Sequence, residues 1–188
     1  NNKDNLNMVI FSGDLFRVPS LSKWADLKKL MENFNLPFYI SPGNHDVEFG
    51  DNSLRDTFNL SFDYNFPIII QHNQTNIQLD DSTKIKGRIA NNFLLNLKED
   101  KNIIIRHHSP IKEFFDIANS VQPLELHSIK ELNSELDTKT TFIVGDFGIH
   151  YKYFCYEFDK IKVIGSGISG NGKEEALILN KNKLYRYI

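Results

Sequence analysis

Cysteine is nearly missing from this chain. Cys155 is the only one in 188 residues, so no internal disulfide can staple the fold, and its neighbours Phe154 and Tyr156 predict a packed structural thiol rather than a reactive one. Redox arguments therefore leave the compartment open. Long apolar runs are missing too: nothing approaches the roughly 20 residues a membrane helix needs. Nor is there an excess of one charge, since 22 Lys and Arg stand against 24 Asp and Glu. That balance removes the basic footprint on which bulk DNA or RNA binding depends. Asn1 to Asn5 lack the charged-then-apolar order of a secretion signal, and the chain reads as entering its fold partway through. The expectation is a soluble protein, cytoplasmic or periplasmic, to which an upstream segment could add an address. Internal repeats, heptads and low-complexity stretches are also absent.

What is present is an ordinary globular composition, 40% hydrophobic, in a length that suits one domain over residues 1–188. Leu21, Trp24, Leu27, Leu30, Met31 and Phe34 recur at spacings of three and four, which predicts a helix with one buried face, capped by Ser20 or Ser22. It lies between the apolar runs Val9-Ile10-Phe11 and Phe38-Tyr39-Ile40, so the first fifty residues read as a β-α-β unit with parallel strands. Residues 50–65 show no sustained period and are given no regular structure. Pro67 to Gln71 and Asn76 to Leu79 predict a hairpin, Gly87 to Lys98 a short helix, Leu124 to Leu136 another helix, and Thr140 to Val144 a strand. The tail from Tyr151 onward predicts an antiparallel meander. Its Gly165-to-Gly170 loop suits a plain hairpin and a substrate-facing loop equally.

Three of these strands end in side chains able to bind a metal. Val9-Ile10-Phe11 runs into Ser12-Gly13-Asp14, Phe38-Tyr39-Ile40 runs toward Gly43-Asn44-His45-Asp46, and Ile103-Ile104-Ile105 runs into Arg106-His107-His108. Ligands bind outside the carboxyl ends of strands in open α/β sheets, so this pattern predicts a site there. Asp14, Asn44 and His107 supply one carboxylate, one amide oxygen and one imidazole, a donor set suited to hard or borderline divalent metals.

The ordered motifs Gly13-Asp14, Gly43-Asn44-His45-Asp46 and His107 resemble those of the calcineurin-type metallophosphoesterases, from about Val9 to Gly167. The resemblance implies an α/β fold, an αββα sandwich with mixed sheets, here with its first strand missing. Asp14 would be the carboxylate able to bridge two metals, Asn44 a ligand through its side-chain oxygen, and His107 a ligand, with His108 as the alternative. His45 would be the proton donor to the leaving group and Asp46 the carboxylate that orients its imidazole. Arg17, Arg55 and Arg106 are candidates to clamp substrate oxygens.

Two motifs depart from the family pattern. No Asp-x-His precedes Gly13, and the expected Gly-His-x-His reads Gly145-Asp146-Phe147-Gly148, with His150 two residues beyond. The same Gly-Asp-x-Gly variant resembles a bacterial subgroup from surface-polysaccharide gene neighbourhoods. The resemblance implies that Asp14, Asn44, His107 and Asp146 would together form the shell of one metal, so the expectation is a single divalent ion, Mn²⁺, Mg²⁺, Fe²⁺ or Zn²⁺, with the carboxylate favouring the harder ones. The implied activity is hydrolysis of a phosphate mono- or diester by a metal-activated hydroxide. The alternative is a degenerate scaffold that binds a ligand or partner without turnover, and a nuclease is disfavoured by the near-neutral charge. Oligomeric state and substrate are not legible, although residues 50–65 and 111–122 are placed to shape a pocket.

Overall fold

A computed structural model describes residues 6–48, 53–72, 74–83, 97, 101–114, 127–146, 153–166, 176–180 and 183–187. The chain opens with β1 (Val9–Phe11), α1 (Leu21–Phe34) and β2 (Phe38–Ile40), and the two strands pair in parallel with Val9 opposite Phe38. Helix α1 starts where Ser20 Oγ accepts from the Lys23 N–H at 3.3 Å, and stops at Asn35, whose φ of 53° turns the chain left-handed. Of the two candidate serines, Ser20 is the cap. A capping oxygen satisfies an otherwise unpaired N–H, so Ser20→Ala is expected to lower stability by about 1 kcal/mol in urea denaturation.

Short helices α2 (Asn44–Val47) and α3 (Ser53–Ser61) follow, then a six-stranded sheet. Its strands are β3 (Ile68–His72), β4 (Thr75–Leu79), β5 (Asn102–His108), β6 (Thr140–Asp146), β7 (Tyr153–Phe158) and β8 (Ile161–Ser166), in the order β3-β4-β5-β6-β8-β7. The junctions β4-β5, β5-β6 and β6-β8 are parallel and the two outer ones antiparallel. Helix α4 (Ile129–Glu135) precedes β6, and β9 (Ala176–Asn180) pairs antiparallel with β10 (Lys183–Tyr187).

Alternation along β5 shows how the layers stack, because successive side chains point to opposite faces. Ile104 packs with Phe142, Val144, Leu132 and Leu136, beneath α4. Ile103 and Ile105 join Ile77 and Leu79, against which Ile10 and Tyr39 of the small sheet pack. Outside the small sheet, Trp24, Phe58 and Phe62 from the α1 and α3 side meet Ile40, Val47 and Phe11. Trp24 meets the Phe58 and Phe62 rings edge-on at 5.5 and 5.4 Å. The result is helix, sheet, sheet, helix, the αββα arrangement expected from the sequence. All seven residues of β5 are buried, as a strand covered on both faces requires. A Cβ at Gly145 would collide with the Ser12 carbonyl oxygen, so the two sheets converge at this end only because β6 carries a glycine there.

Several expectations need correction. Residues 50–65 do contain a helix, α3, which gains its order by burying Leu54 and Phe58 one turn apart. The Asn44-to-Val47 segment, for which no helix is expected from the sequence, closes one helical turn from Gly43. Helix α4 begins at Ile129 rather than Leu124: the His127 N–H donates to the Pro110 carbonyl and its own carbonyl accepts from Lys112, which commits that backbone to a bridge. The tail is not a simple meander, since β8 pairs in parallel with β6. Cys155 lies on β7 but is exposed. The helix expected over 87–98 lies outside the described residues apart from Leu97. No helix among the described residues is long and apolar enough to cross a membrane.

Candidate metal centre

The first two ligand loops are tied together by carboxylates. Asp14 sits just past β1 in left-handed backbone, φ 56°, a conformation an aspartate holds only where its surroundings enforce it. Its Oδ1 accepts from the His45 N–H at 2.9 Å, across from the other loop. Asp46 returns the tie: Oδ1 accepts from the Leu15 and Phe16 N–H groups at 3.0 and 3.3 Å, and Oδ2 from the Gly43 N–H at 3.0 Å. A Cβ at Gly43 would overlap Asp14 Oδ1, so only glycine permits the approach. Asp46 therefore braces the backbone of both loops. Burial pushes the Asp46 carboxyl up to about 6, against the pull of these N–H donors.

The third and fourth strands complete the cluster. His107 and His108 end β5, both fully buried, and Asp146 ends β6 directly opposite His108. Donor atoms of His107, His108 and Asp146 all lie within 4.8 Å of one another, close enough to grip one ion. His107 Nδ1 is 2.8 Å from the Ser12 carbonyl, which can only accept, so the hydrogen is on Nδ1. Its Nε2 then faces Asp14 Oδ2 at 3.3 Å, a charge contact without hydrogen-bond alignment. His108 Nε2 meets Asn44 Oδ1 at 3.2 Å. Asp14, Asn44, His107, His108 and Asp146 thus converge from four strand ends.

This set fits a divalent cation. A buried imidazole nitrogen without an aligned partner points at a carboxylate, two carboxylates supply a formal charge opposite to that of the ion, and the donors mix nitrogen with anionic and amide oxygen. The electrostatics agree. Burial alone would lower the basicity of His107, yet the Asp14 and Asp146 carboxylates raise it to about 9, a measure of the negative field at Nε2. Burial would likewise raise Asp14, but His107 and the His45 N–H hold it below the usual aspartate range. Burial and the neighbouring His107 lower His108 well below an ordinary imidazole.

Not every candidate joins. Arg106 is 3% exposed, its Nε donates to the His108 carbonyl at 2.9 Å, and Asp80 lies 3.6 Å from its guanidinium, so it supports the strand end. Arg55 is equally buried against Asp81. Arg17 is exposed beyond the Asp14 loop, and His150 lies outside the described residues. The segment from Asp80 to Thr83 was missed. Ser82 holds His108 through both of its oxygens, and Asp80, Asp81, Ser82 and Thr83 are all buried. Four consecutive polar residues follow β4 directly, but β4 itself alternates polar and apolar residues, so the segment lacks the apolar run that marks the other ligand loops.

No curated protein matches this chain. A family model for calcineurin-like phosphoesterases matches residues 1–164, in agreement with the ordered strand-end motifs, the four layers and the convergent donors, and the chain belongs to the calcineurin-like phosphoesterase family.

Proposed function

We propose that this chain hydrolyses a phosphate ester with one divalent cation held by Asp14, Asn44, His107, His108 and Asp146. Metal-dependent phosphoester hydrolysis is the general chemistry of the family. The observation that carries the reading is His107 Nε2, buried and aimed at Asp14 Oδ2 from 3.3 Å while Nδ1 is committed to Ser12. When bound, the ion acidifies water and offsets charge on the phosphoryl oxygens. Two carboxylates and an amide oxygen favour Mn²⁺ or Mg²⁺ over Zn²⁺.

The chain's own contribution to proton transfer is His45. Its backbone N–H is pinned to Asp14, which sets the residue at the start of α2 beside the donors. Unlike the fully buried His107 and His108, it keeps part of its surface open, so a substrate oxygen can reach it. It acts as the acid that protonates the departing oxygen. His45→Ala is expected to lower kcat on chromogenic phosphomono- or diesters by about 10²-fold while Mn²⁺ affinity is retained. Purified protein loaded in turn with Mn²⁺, Mg²⁺, Fe²⁺ and Zn²⁺ tests the proposal. Tight metal binding with no turnover of any ester would replace it with the non-catalytic scaffold.

A further inference from the structure

We propose that Ser82 is a positioning residue for His108, fixing its Nδ1–H tautomer so that Nε2 is left as a metal donor beside Asn44. The inference rests on the reading of this cluster as a metal centre, and it concerns how one imidazole is presented to it.

His108 Nδ1 lies 3.1 Å from the Ser82 carbonyl oxygen and 3.2 Å from Ser82 Oγ. The Ser82 carbonyl oxygen has no hydrogen to give, so it is satisfied when the imidazole donates from Nδ1, the tautomer assigned to the ring in this proposal. With its hydrogen there, the neutral ring carries its lone pair on Nε2. Ser82 Oγ accepts in addition from the His108 backbone N–H at 2.9 Å, so one residue grips both the main chain and the ring. Nε2 and Asn44 Oδ1 then oppose each other at 3.2 Å as two acceptors in a buried space. A cation between or beside them satisfies both. The partner of a ligating imidazole's second nitrogen commonly sets its tautomer and orientation in this way.

Ser82 can do this because it does not move freely. The Asp80 carbonyl accepts from Ser41 Oγ at 2.6 Å, and the Asp80 N–H donates to the Ile105 carbonyl at 3.0 Å. On the other side, the Arg55 guanidinium bonds to Asp81 and to Thr83 Oγ1, and the Thr83 N–H donates to Asp81 Oδ1 at 3.0 Å. These anchors flank Ser82 on both sides. A ring flip at His108 would leave the Ser82 carbonyl facing carbon, with no slack in the loop to follow it.

The test needs two readouts on the intact protein. Long-range ¹H–¹⁵N correlation spectra of the metal-free, ¹⁵N-labelled protein report which nitrogen of His108 carries the hydrogen; Nδ1 is expected, and Nε2 overturns the proposal without any variant. Isothermal titration with Mn²⁺ is expected to show about tenfold weaker binding in Ser82→Ala, the low end for such partners because the carbonyl remains. Ser82→Thr, which keeps the hydroxyl, should restore the wild-type isotherm. If the wild type binds Mn²⁺ and Ser82→Ala binds it equally well, Ser82 has no positioning role and the metal centre stands. If the wild type binds no Mn²⁺, the metal centre itself falls and this inference with it.

Discussion

Asp14→Ala is expected to abolish measurable Mn²⁺ binding and to lower kcat/KM on phosphate esters by at least about a thousandfold. The magnitude follows from what a bound metal supplies, several kcal/mol of charge stabilisation in the transition state, where each 1.4 kcal/mol or so is a factor of ten in rate. Asp14 contributes to this in two ways. Its Oδ2 gives the negative charge facing His107 Nε2 at 3.3 Å, and its Oδ1 fixes the His45 backbone at 2.9 Å. Asp14→Asn separates the two, since an amide oxygen still accepts from His45 while the charge is gone. The expected order is wild type far above Asp14→Asn, with Asp14→Ala lowest, by titration calorimetry and steady-state kinetics. Wild-type metal affinity in Asp14→Asn would show that the carboxylate is a loop brace and not a ligand.

Arg55→Ala should cost about 3–5 kcal/mol of folding stability, because it leaves the Asp81 carboxylate buried without its cation. A typical domain has only about 5–15 kcal/mol in total, so the variant would be near the limit of folding. Urea denaturation reads the loss as a lowered midpoint. Removing both charges is the control. Arg55→Met with Asp81→Asn leaves no uncompensated ion, and the amide oxygen still takes the Thr83 N–H, so most of the loss should return. A double variant as unstable as Arg55→Ala would mean that packing around the arginine stem, rather than charge, holds the loop. Since the same guanidinium steadies the residues on either side of Ser82, the variant is also expected to bind Mn²⁺ more weakly.

Much of the fold could be read along the chain where side-chain period and burial coincide. The α1 helix, the parallel β1-α1-β2 unit and the β3-β4 hairpin all follow from local pattern, although of the six apolar residues expected on the buried face of α1 only Trp24 and Met31 are buried and Leu21, Leu30 and Phe34 are exposed. Patterns failed where long-range pairing decides. Helix α3 has few apolar positions and is ordered by Trp24 and its neighbours, which no window around Ser53 to Ser61 contains. The β8 run reads as one arm of a hairpin, which it is on the β7 side, while its other edge pairs with β6 from across the chain. His127 has a helix-compatible neighbourhood, but a bridge to Ile111 takes its backbone groups.

The site divides along the same line. Sequence alone determined which donors exist and that they sit at strand ends: Asp14 after Gly13, Asn44 after Gly43, His107 and His108 after an isoleucine run, and Asp146 after Gly145. That was enough for the family, because glycine-flanked polar residues behind apolar strands carry their meaning locally. Only the tertiary structure decided their partners, since a hydrogen-bond partner is a property of distance and not of order along the chain. It turned Asp46 toward backbone N–H groups, withdrew Arg55 and Arg106 into buried pairs, and placed Ser82 against His108 from 26 residues away.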